Sequence, residues 1–353
     1  MKILITGTCG QDGANMIEYL LKNTDALIYG MVKRSGNPNY ENINEFLDNP
    51  RFKLVFGDLT DDVSINSLVK DLQPDYFINF GANSFVGISW EMPIQVFNTN
   101  TLGVLRCLEA IRRYKPTCRF YSAGSSEEMG DVQFTPQTIF HPIRPRSPYG
   151  ASKASARHIV KCYRESYNLY AVHGILFNHE GKKRGIEFLT RKVSAAVARI
   201  TKQLKNNDAI IPLELGNLDA RRDWSDSEDF VEGIWRMINQ EKYRKNWDGK
   251  LKEYILASGE THSIREFVEE AFSVIGVRGY WQKKGDKPEN EVFIHSTLNI
   301  PLVKVNPKFY RPAEVDLLLG DSTPAREELG WKPNVSFKEL VKRMVLNDIY
   351  LNH

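Results

Sequence analysis

The chain contains no Cys-x-x-Cys pair, and no histidines stand at ligand spacing around its four cysteines, Cys9, Cys107, Cys118 and Cys162. This argues against a zinc site or a disulfide framework, so no metal is expected, and it fits a reducing compartment. No apolar run approaches the roughly 18 residues of a membrane span, and Met1 to Thr6 is too short for a signal-peptide core before the glycines begin. Repeats and low-complexity tracts are missing as well. Charge of one sign is scarce: 47 Lys and Arg against 44 Asp and Glu leave a net +3. That is too weak to argue for nucleic acid, though compatible with a local site for an anionic ligand. The expectation is a cytoplasmic globular protein with neither a membrane nor a nucleic-acid partner. With 42% hydrophobic and 26% charged residues, 353 in all, it can bury a sizeable core, and about 100–200 residues per domain suggests two lobes.

What is present begins with Lys2 to Thr6, a buried-strand run followed by Gly7-Thr-Cys-Gly-Gln-Asp-Gly13 and an apolar-periodic segment from Met16 to Leu21. Strand, glycine-rich turn and helix are the context a dinucleotide fingerprint needs. Gly7 permits a tight turn, Gly10 lets backbone approach a pyrophosphate, and Gly13 allows close helix packing. A second strand, Leu27 to Val32, ends in Lys33-Arg34-Ser35, where a basic residue with a hydroxyl suits a 2′-phosphate; NADP is therefore preferred over NAD. Strands follow at 52–56, 76–80, 119–121 and 171–176, with helices at 63–72 and 96–113. Asp58 could accept from an adenine amino group, and the small residues of Gly81-Ala82-Asn83-Ser84 would let a cofactor lie across the strand ends. The alternation predicts an α/β fold, a Rossmann-type doubly wound parallel sheet with a smaller C-terminal substrate-binding lobe.

The reaction centre is predicted at Ser122-Ala-Gly-Ser-Ser-Glu-Glu-Met-Gly130 and Arg146-Ser-Pro-Tyr-Gly-Ala-Ser-Lys153. Ser147-Pro148 looks like a helix start, so Tyr149 and Lys153, four residues apart, share a helix face. A nearby ammonium favours the phenolate, which would lower the tyrosine pKa and make Tyr149 a general base. Ser125 adds a hydroxyl and Glu127 a carboxyl group; Glu127 and Glu128 are adjacent, and neighbouring carboxylates raise each other's pKa.

Beyond residue 176 the chain turns polar and basic, with Asn178-His179-Glu180, Lys182-Lys-Arg184, Arg191-Lys192, Ala220-Arg-Arg-Asp-Trp224 and Tyr310-Arg-Pro-Ala-Glu-Val-Asp316. Separated arginine-bearing turns suggest a site that grips a diphosphate by charge-assisted hydrogen bonds. Residues 280–305 read as an exposed loop.

These motifs together resemble the extended short-chain dehydrogenase/reductases that modify sugar nucleotides, and within them the GDP-mannose 4,6-dehydratase family, over nearly the whole length. The most discriminating carriers are Gly216 to Trp224 and Phe309 to Asp316. The resemblance implies that Ser125 is the hydroxyl usually supplied as threonine, Glu127 the acid/base, and Tyr149 with Lys153 the oxidation pair. It implies cofactor contacts at Gly7, Gly10, Gln11, Asp12, Gly13, Arg34, Ser35, Asp58, Leu59, Gly81, Ala82, Ser84, His179 and Arg184. A sugar-nucleotide site would be lined by Ser89, Asn178, Lys192, Arg222, Arg311 and Glu314.

The resemblance divides the chain into an NADP-binding Rossmann domain, 1–177, with a later return of chain around 225–260, and a mainly sugar-nucleotide-binding lobe, 178–353. The segment from Lys33 to Asn44 reaches a neighbouring subunit in the resembled family, implying a homodimer or homotetramer. The chain departs from the family at Asn83-Ser84-Phe85 (usually Gln-Ser-His), Glu128-Met129-Gly130 (Leu-Tyr-Gly) and Gly181-Lys182 (Ser-Pro). The implied reaction is 4,6-dehydration of GDP-mannose; the alternatives are a related GDP-sugar such as GDP-manno-heptose, or an NADP-dependent nucleotide-sugar 4-epimerase or reductase.

Overall fold

The computed structural model describes residues 1–283, 285, 287, 290–310 and 315–351. The strands are β1 (Lys2–Thr6), β2 (Leu27–Val32), β3 (Phe52–Phe56), β4 (Tyr76–Asn79), β5 (Arg119–Ala123), β6 (Ala171–Leu176), β7 (Asn178–Glu180), β8 (Leu213–Leu215), β9 (Arg221–Arg222), β10 (Trp224–Asp226), β11 (Tyr254–Leu256), β12 (His262–Ser263), β13 (Gly279–Lys283), β14 (Glu291–His295) and β15 (Pro301–Val305). The helices are α1 (Gln11–Asn23), α2 (Asp62–Leu72), α3 (Pro93–Phe97), α4 (Gly103–Tyr114), α5 (Pro148–Tyr167), α6 (Leu189–Asn206), α7 (Ser227–Met237), α8 (Gln240–Tyr243), α9 (Ile264–Val274), α10 (Thr323–Leu329) and α11 (Phe337–Leu351).

Seven strands form one sheet in the order β11-β6-β5-β4-β1-β2-β3, and every pairing in it is parallel. The interior strands are apolar throughout because helices cover both faces; Ile3, Leu4, Ile5, Phe77 and Phe120 are fully buried. The order reverses direction between β4 and β1, and such a switch point opens a crevice at the strands' carboxyl ends. Thr6, Asn79, Ala123 and Leu176 end their strands there.

Helix ends follow local chemistry. Asp61 caps α2 by accepting from Val63 and Ser64 N–H, and Ser147 caps α5 by accepting from Gly150 N–H at 3.0 Å, with Pro148 at the first helical position. The helix expected at 96–113 is instead α3, a π-helical stretch at Asn98–Leu102, and α4. Chain from beyond residue 225 returns to this sheet: α7 packs against α1, and β11 extends the sheet beside β6.

The second core joins α6, α9 and α11 to a four-stranded sheet, β13-β14-β15-β8, through Val193, Val197, Phe267, Phe272, Phe293, Leu302 and Met344. This corrects the exposed loop expected at 280–305. β13 ends at Lys283 and β14 begins at Glu291, and β14 and β15 bury Phe293, Ile294, Leu302, Val303 and Val305. The prominent Lys and Glu residues masked two short alternating segments. Among the described residues no helix is long and apolar enough to cross a membrane.

Candidate active site

A cavity of about 850 Å³ opens at the switch point and draws its walls from both lobes. Its floor is the turn after β1. Gly7 has φ +68, and a Cβ there would lie 2.7 Å from the carbonyl carbon of Phe80, so a side chain is excluded on two counts. The turn delivers the chain to α1, whose N-cap is Gly10 and receives no side-chain capping bond. The first-turn N–H groups of a 13-residue helix are thus left without side-chain acceptors where Gly10, Gln11, Asp12 and Gly13 line the cavity. A pyrophosphate suits that place by hydrogen bonding and by the helix dipole. Two buried side-chain oxygens without partners, Gln11 Oε1 and Asn178 Oδ1, await donors there. The arrangement fits a dinucleotide.

His179 extends this floor. Its Nδ1 lies 2.8 Å from Phe177 O and its Nε2 2.9 Å from Asp12 Oδ2, while its ring stacks on Phe230 with centroids 4.6 Å apart. Two acceptors facing two ring nitrogens favour the imidazolium. Burial works against that charge, but Asp12 outweighs it and raises the histidine pKa. Burial likewise works against the Asp12 carboxylate, and His179, Arg184 and Gln11 lower its pKa despite it. Arg184 pairs with Glu180 Oε2 at 2.9 Å and lies 3.5 Å from the centre of the Phe188 ring.

The reaction wall is built from the end of β5 and the start of α5. Ser125 caps the single turn Ser126–Glu128 and accepts from Glu127 N–H at 3.2 Å. Tyr149 and Lys153 stand one helical turn apart, and Lys153 Nζ donates to Ala123 O at 2.7 Å, tying α5 to the end of β5. Ser125, Glu127, Tyr149 and Lys153 all line the cavity, and Glu127 is only 8% exposed.

Two electrostatic expectations need correction. Burial pushes the Tyr149 phenol up, well above its ordinary value, with the Ser125 hydrogen bond opposing. Lys153 does not outweigh that burial: its ammonium donates to Ala123 O and lies 5.9 Å from the tyrosine ring centre. Burial also lowers Lys153 itself to about 8, against the raising influence of Glu128 and Asp12. Glu127 and Glu128, adjacent in sequence, face different surroundings: Glu127 faces the cavity, whereas Glu128 is fully buried and bonded to Ser125 N–H and His173. Burial would raise the Glu128 pKa, yet His173, Arg157 and the Ser125 N–H bring it below the ordinary value.

Of the remaining expected residues, Gly7, Gly10, Gln11, Asp12, Gly13, Ala82, Ser84, Asn178, His179, Arg184 and Arg222 border the same cavity. Seven others are absent from its lining. Arg34 and Ser35 are exposed, and Asp58 pairs with Lys33 at 3.0 Å. Leu59 is buried packing, and Gly81 N–H donates to Thr6 Oγ1. Ser89 is fully buried, its hydroxyl satisfied by Val86 O at 2.6 Å. Lys192 donates to Glu214 O at 2.7 Å and sits 3.7 Å from the centre of the Phe309 ring. Arg311 and Glu314 lie outside the described residues.

Sequence reasoning missed several lining residues: Asn39, Asn42 and Glu45 after β2, and Asn347 and Leu351 on α11. Asn42 Nδ2 donates to both Cys9 O and Lys183 O, at 3.0 and 3.1 Å, and so clamps the glycine turn to the basic segment. No local pattern announces a bridge between residues 141 positions apart.

Residues 4–344 match the family described as GDP-mannose 4,6 dehydratase. The GDP-mannose 4,6 dehydratase of Drosophila melanogaster is 41% identical over 357 residues, covering 99% of this chain and 86% of that protein. Among solved structures, dTDP-glucose 4,6-dehydratase from Bacillus anthracis, in complex with NAD, superposes with a TM-score of 0.77 at 21% identity, covering 100% of this chain and 97% of the other. RMD from Pseudomonas aeruginosa, complexed with NADPH, gives 0.74 at 19% identity with 99% of each covered. At such low identity these two likenesses speak for the fold. The match from residue 4 to 344 and the whole-length identity carry the assignment: the chain belongs to the GDP-mannose 4,6-dehydratase family.

Proposed function

We propose that this family member, a hydro-lyase, converts GDP-mannose to GDP-4-keto-6-deoxymannose with NADP as its nicotinamide cofactor, through Ser125, Glu127, Tyr149 and Lys153. The bound nicotinamide supplies reversible oxidation, taking hydrogen from C4 and returning it at C6 with no net consumption. Tyr149, once its phenol has ionised as the positive charge of a bound oxidised nicotinamide would favour, takes the proton of the 4-hydroxyl, and Ser125 hydrogen-bonds the same oxygen. The resulting 4-ketone acidifies C5–H. Glu127 removes that proton and delivers it to the departing 6-hydroxyl, so water leaves across C5–C6; C5 is then reprotonated with the proton taken from the 4-hydroxyl, which balances the cycle. Lys153 anchors the tyrosine helix to the strand end that carries Ser125. Gly10 to Gly13 hold the dinucleotide diphosphate, His179 and Arg184 help hold the cofactor, and Arg222 lines the same cavity beside the sugar nucleotide.

The observation that carries this reading is the meeting of a buried, cavity-facing carboxyl group, Glu127, with Ser125, Tyr149 and Lys153 on one wall. A plain 4-epimerase has no use for an acid at C5. The phosphate preference rests on Arg34 and Ser35, which are exposed and free to meet a 2′-phosphate. A homodimer or homotetramer, residence in the cytoplasm, and the division into a cofactor domain and a sugar-nucleotide lobe complete the proposal.

Purified protein incubated with GDP-mannose and catalytic NADP should yield a sugar nucleotide lighter by one water, with a new C6 methyl doublet by proton NMR. An unchanged sugar in a preparation shown to hold NADP would overturn GDP-mannose as substrate and move the search to GDP-manno-heptose, then to epimerisation or reduction. Cofactor choice is read by titrating NAD against NADP, and assembly by light scattering.

A further inference from the structure

Directly behind the reaction wall lies a second, fully buried polar cluster that the proposed reaction does not use. His173 and Glu128 both have 0% exposure, and His173 Nε2 lies 2.9 Å from Glu128 Oε1. The same oxygen accepts from the backbone N–H of Ser125 at 2.8 Å. It thereby completes a capping box in which Ser125 accepts in return from the turn it caps. Glu128 Oε2 and His173 Nδ1 have no hydrogen-bond partner. Burying such a pair is expensive, and an apolar pair of similar volume would commonly be as stable or more so. The surrounding backbone leaves room for it: a Cβ on residue 124 would lie 2.2 Å from His173 Nε2 and 2.6 Å from Glu128 Oε1, and that residue is Gly124.

We propose that Glu128 and His173 form a positioning couple: Glu128 grips the Ser125 backbone from behind the cavity, and His173 locks the Glu128 side chain, so that the Ser125 hydroxyl and the Glu127 carboxyl group are held toward the substrate. The couple touches neither substrate nor cofactor. His173 lies in β6, paired with Ser122 of β5, so the grip is anchored in the central sheet rather than in a loop. Removal of the couple should therefore loosen the reacting groups while leaving the binding surfaces in place, and an error of about 1 Å in such groups can cost on the order of 100-fold in rate.

This rests on the dehydratase reading, so the parent protein is assayed first; a parent that does not dehydrate GDP-mannose refutes that reading and not the couple. With an active parent, kcat and KM are measured for E128Q, E128L and the double variant E128L/H173L, normalised to cofactor-loaded sites. Glutamine keeps the oxygen that accepts from Ser125 and His173, so E128Q should retain kcat within about threefold. The double variant removes both buried polar groups together, which protects folding if E128L alone fails. It should lose at least tenfold in kcat, about 1.4 kcal/mol, with KM within about threefold. Wild-type kcat in the double variant would overturn the proposal. So would an E128Q as slow as E128L, or a loss in the double variant confined to thermal stability or KM.

Discussion

The two walls of the cavity are built differently. The reaction wall stands on the end of β5 and the first turn of α5, and it is tied by Lys153 to Ala123 O and by Glu128 to Ser125 N–H. Opposite it, the segment 182–188 has no regular helix or strand and contributes Lys182, Lys183 and Arg184. Those cations hold to carboxylates on several elements, Glu18, Glu45, Glu180 and Glu228. Bond-making groups thus sit on elements whose geometry the sheet fixes, whereas the cations that would meet ligand charge sit on an irregular segment held by side-chain bonds from Asn42 and Arg191. Substitutions on the first wall should act on kcat, and those on the second on affinity and salt dependence.

The strongest test of that contrast is Y149F, which keeps the buried ring and removes the proton acceptor; kcat should fall by about 10²–10⁴-fold, read by product NMR. A loss confined to KM would break the contrast. A smaller effect is expected from pH. Burial lowers Lys153 to about 8, so its ammonium is present below that value and lost above it. The alkaline limb of kcat/KM should fall near pH 8, and K153R should lack that limb because arginine stays charged. On the opposite wall, K183A should weaken cofactor or sugar-nucleotide affinity by up to about tenfold, with a reduced salt slope in titration calorimetry, as expected for a charge near the surface. The smallest effect belongs to the helix frame: S147A removes the cap on Gly150 N–H and should cost about 1 kcal/mol in chemical denaturation.

How far these walls could be read in advance follows from range. The glycine turn, the Ser147 cap and the Tyr149–Lys153 spacing are local, and local chemistry specifies them. The parallel sheet was legible because its strands are apolar and separated by periodic helices. What could not be read depends on distant chain. Nothing near Asn42 signals its bonds to Cys9 and Lys183, and nothing near Glu128 signals His173, 45 residues away. The low phenolate pKa expected for Tyr149 failed for the same reason: spacing predicts proximity to Lys153, whereas burial by distant chain decides the charge. Arg34, Ser35 and Lys192 were placed by motif, and they stand off a cavity defined by one chain.

The most direct test of the central claim, that oxidation and water loss share one wall but use different groups, is a rapid-mixing experiment on E127Q holding NADP. On addition of GDP-mannose, the account predicts that the absorbance of reduced nicotinamide rises at close to the parent's rate and persists, while mass spectrometry finds no loss of water. Water loss at the parent's rate in E127Q, or failure of both steps in a folded variant that still binds NADP, would contradict it.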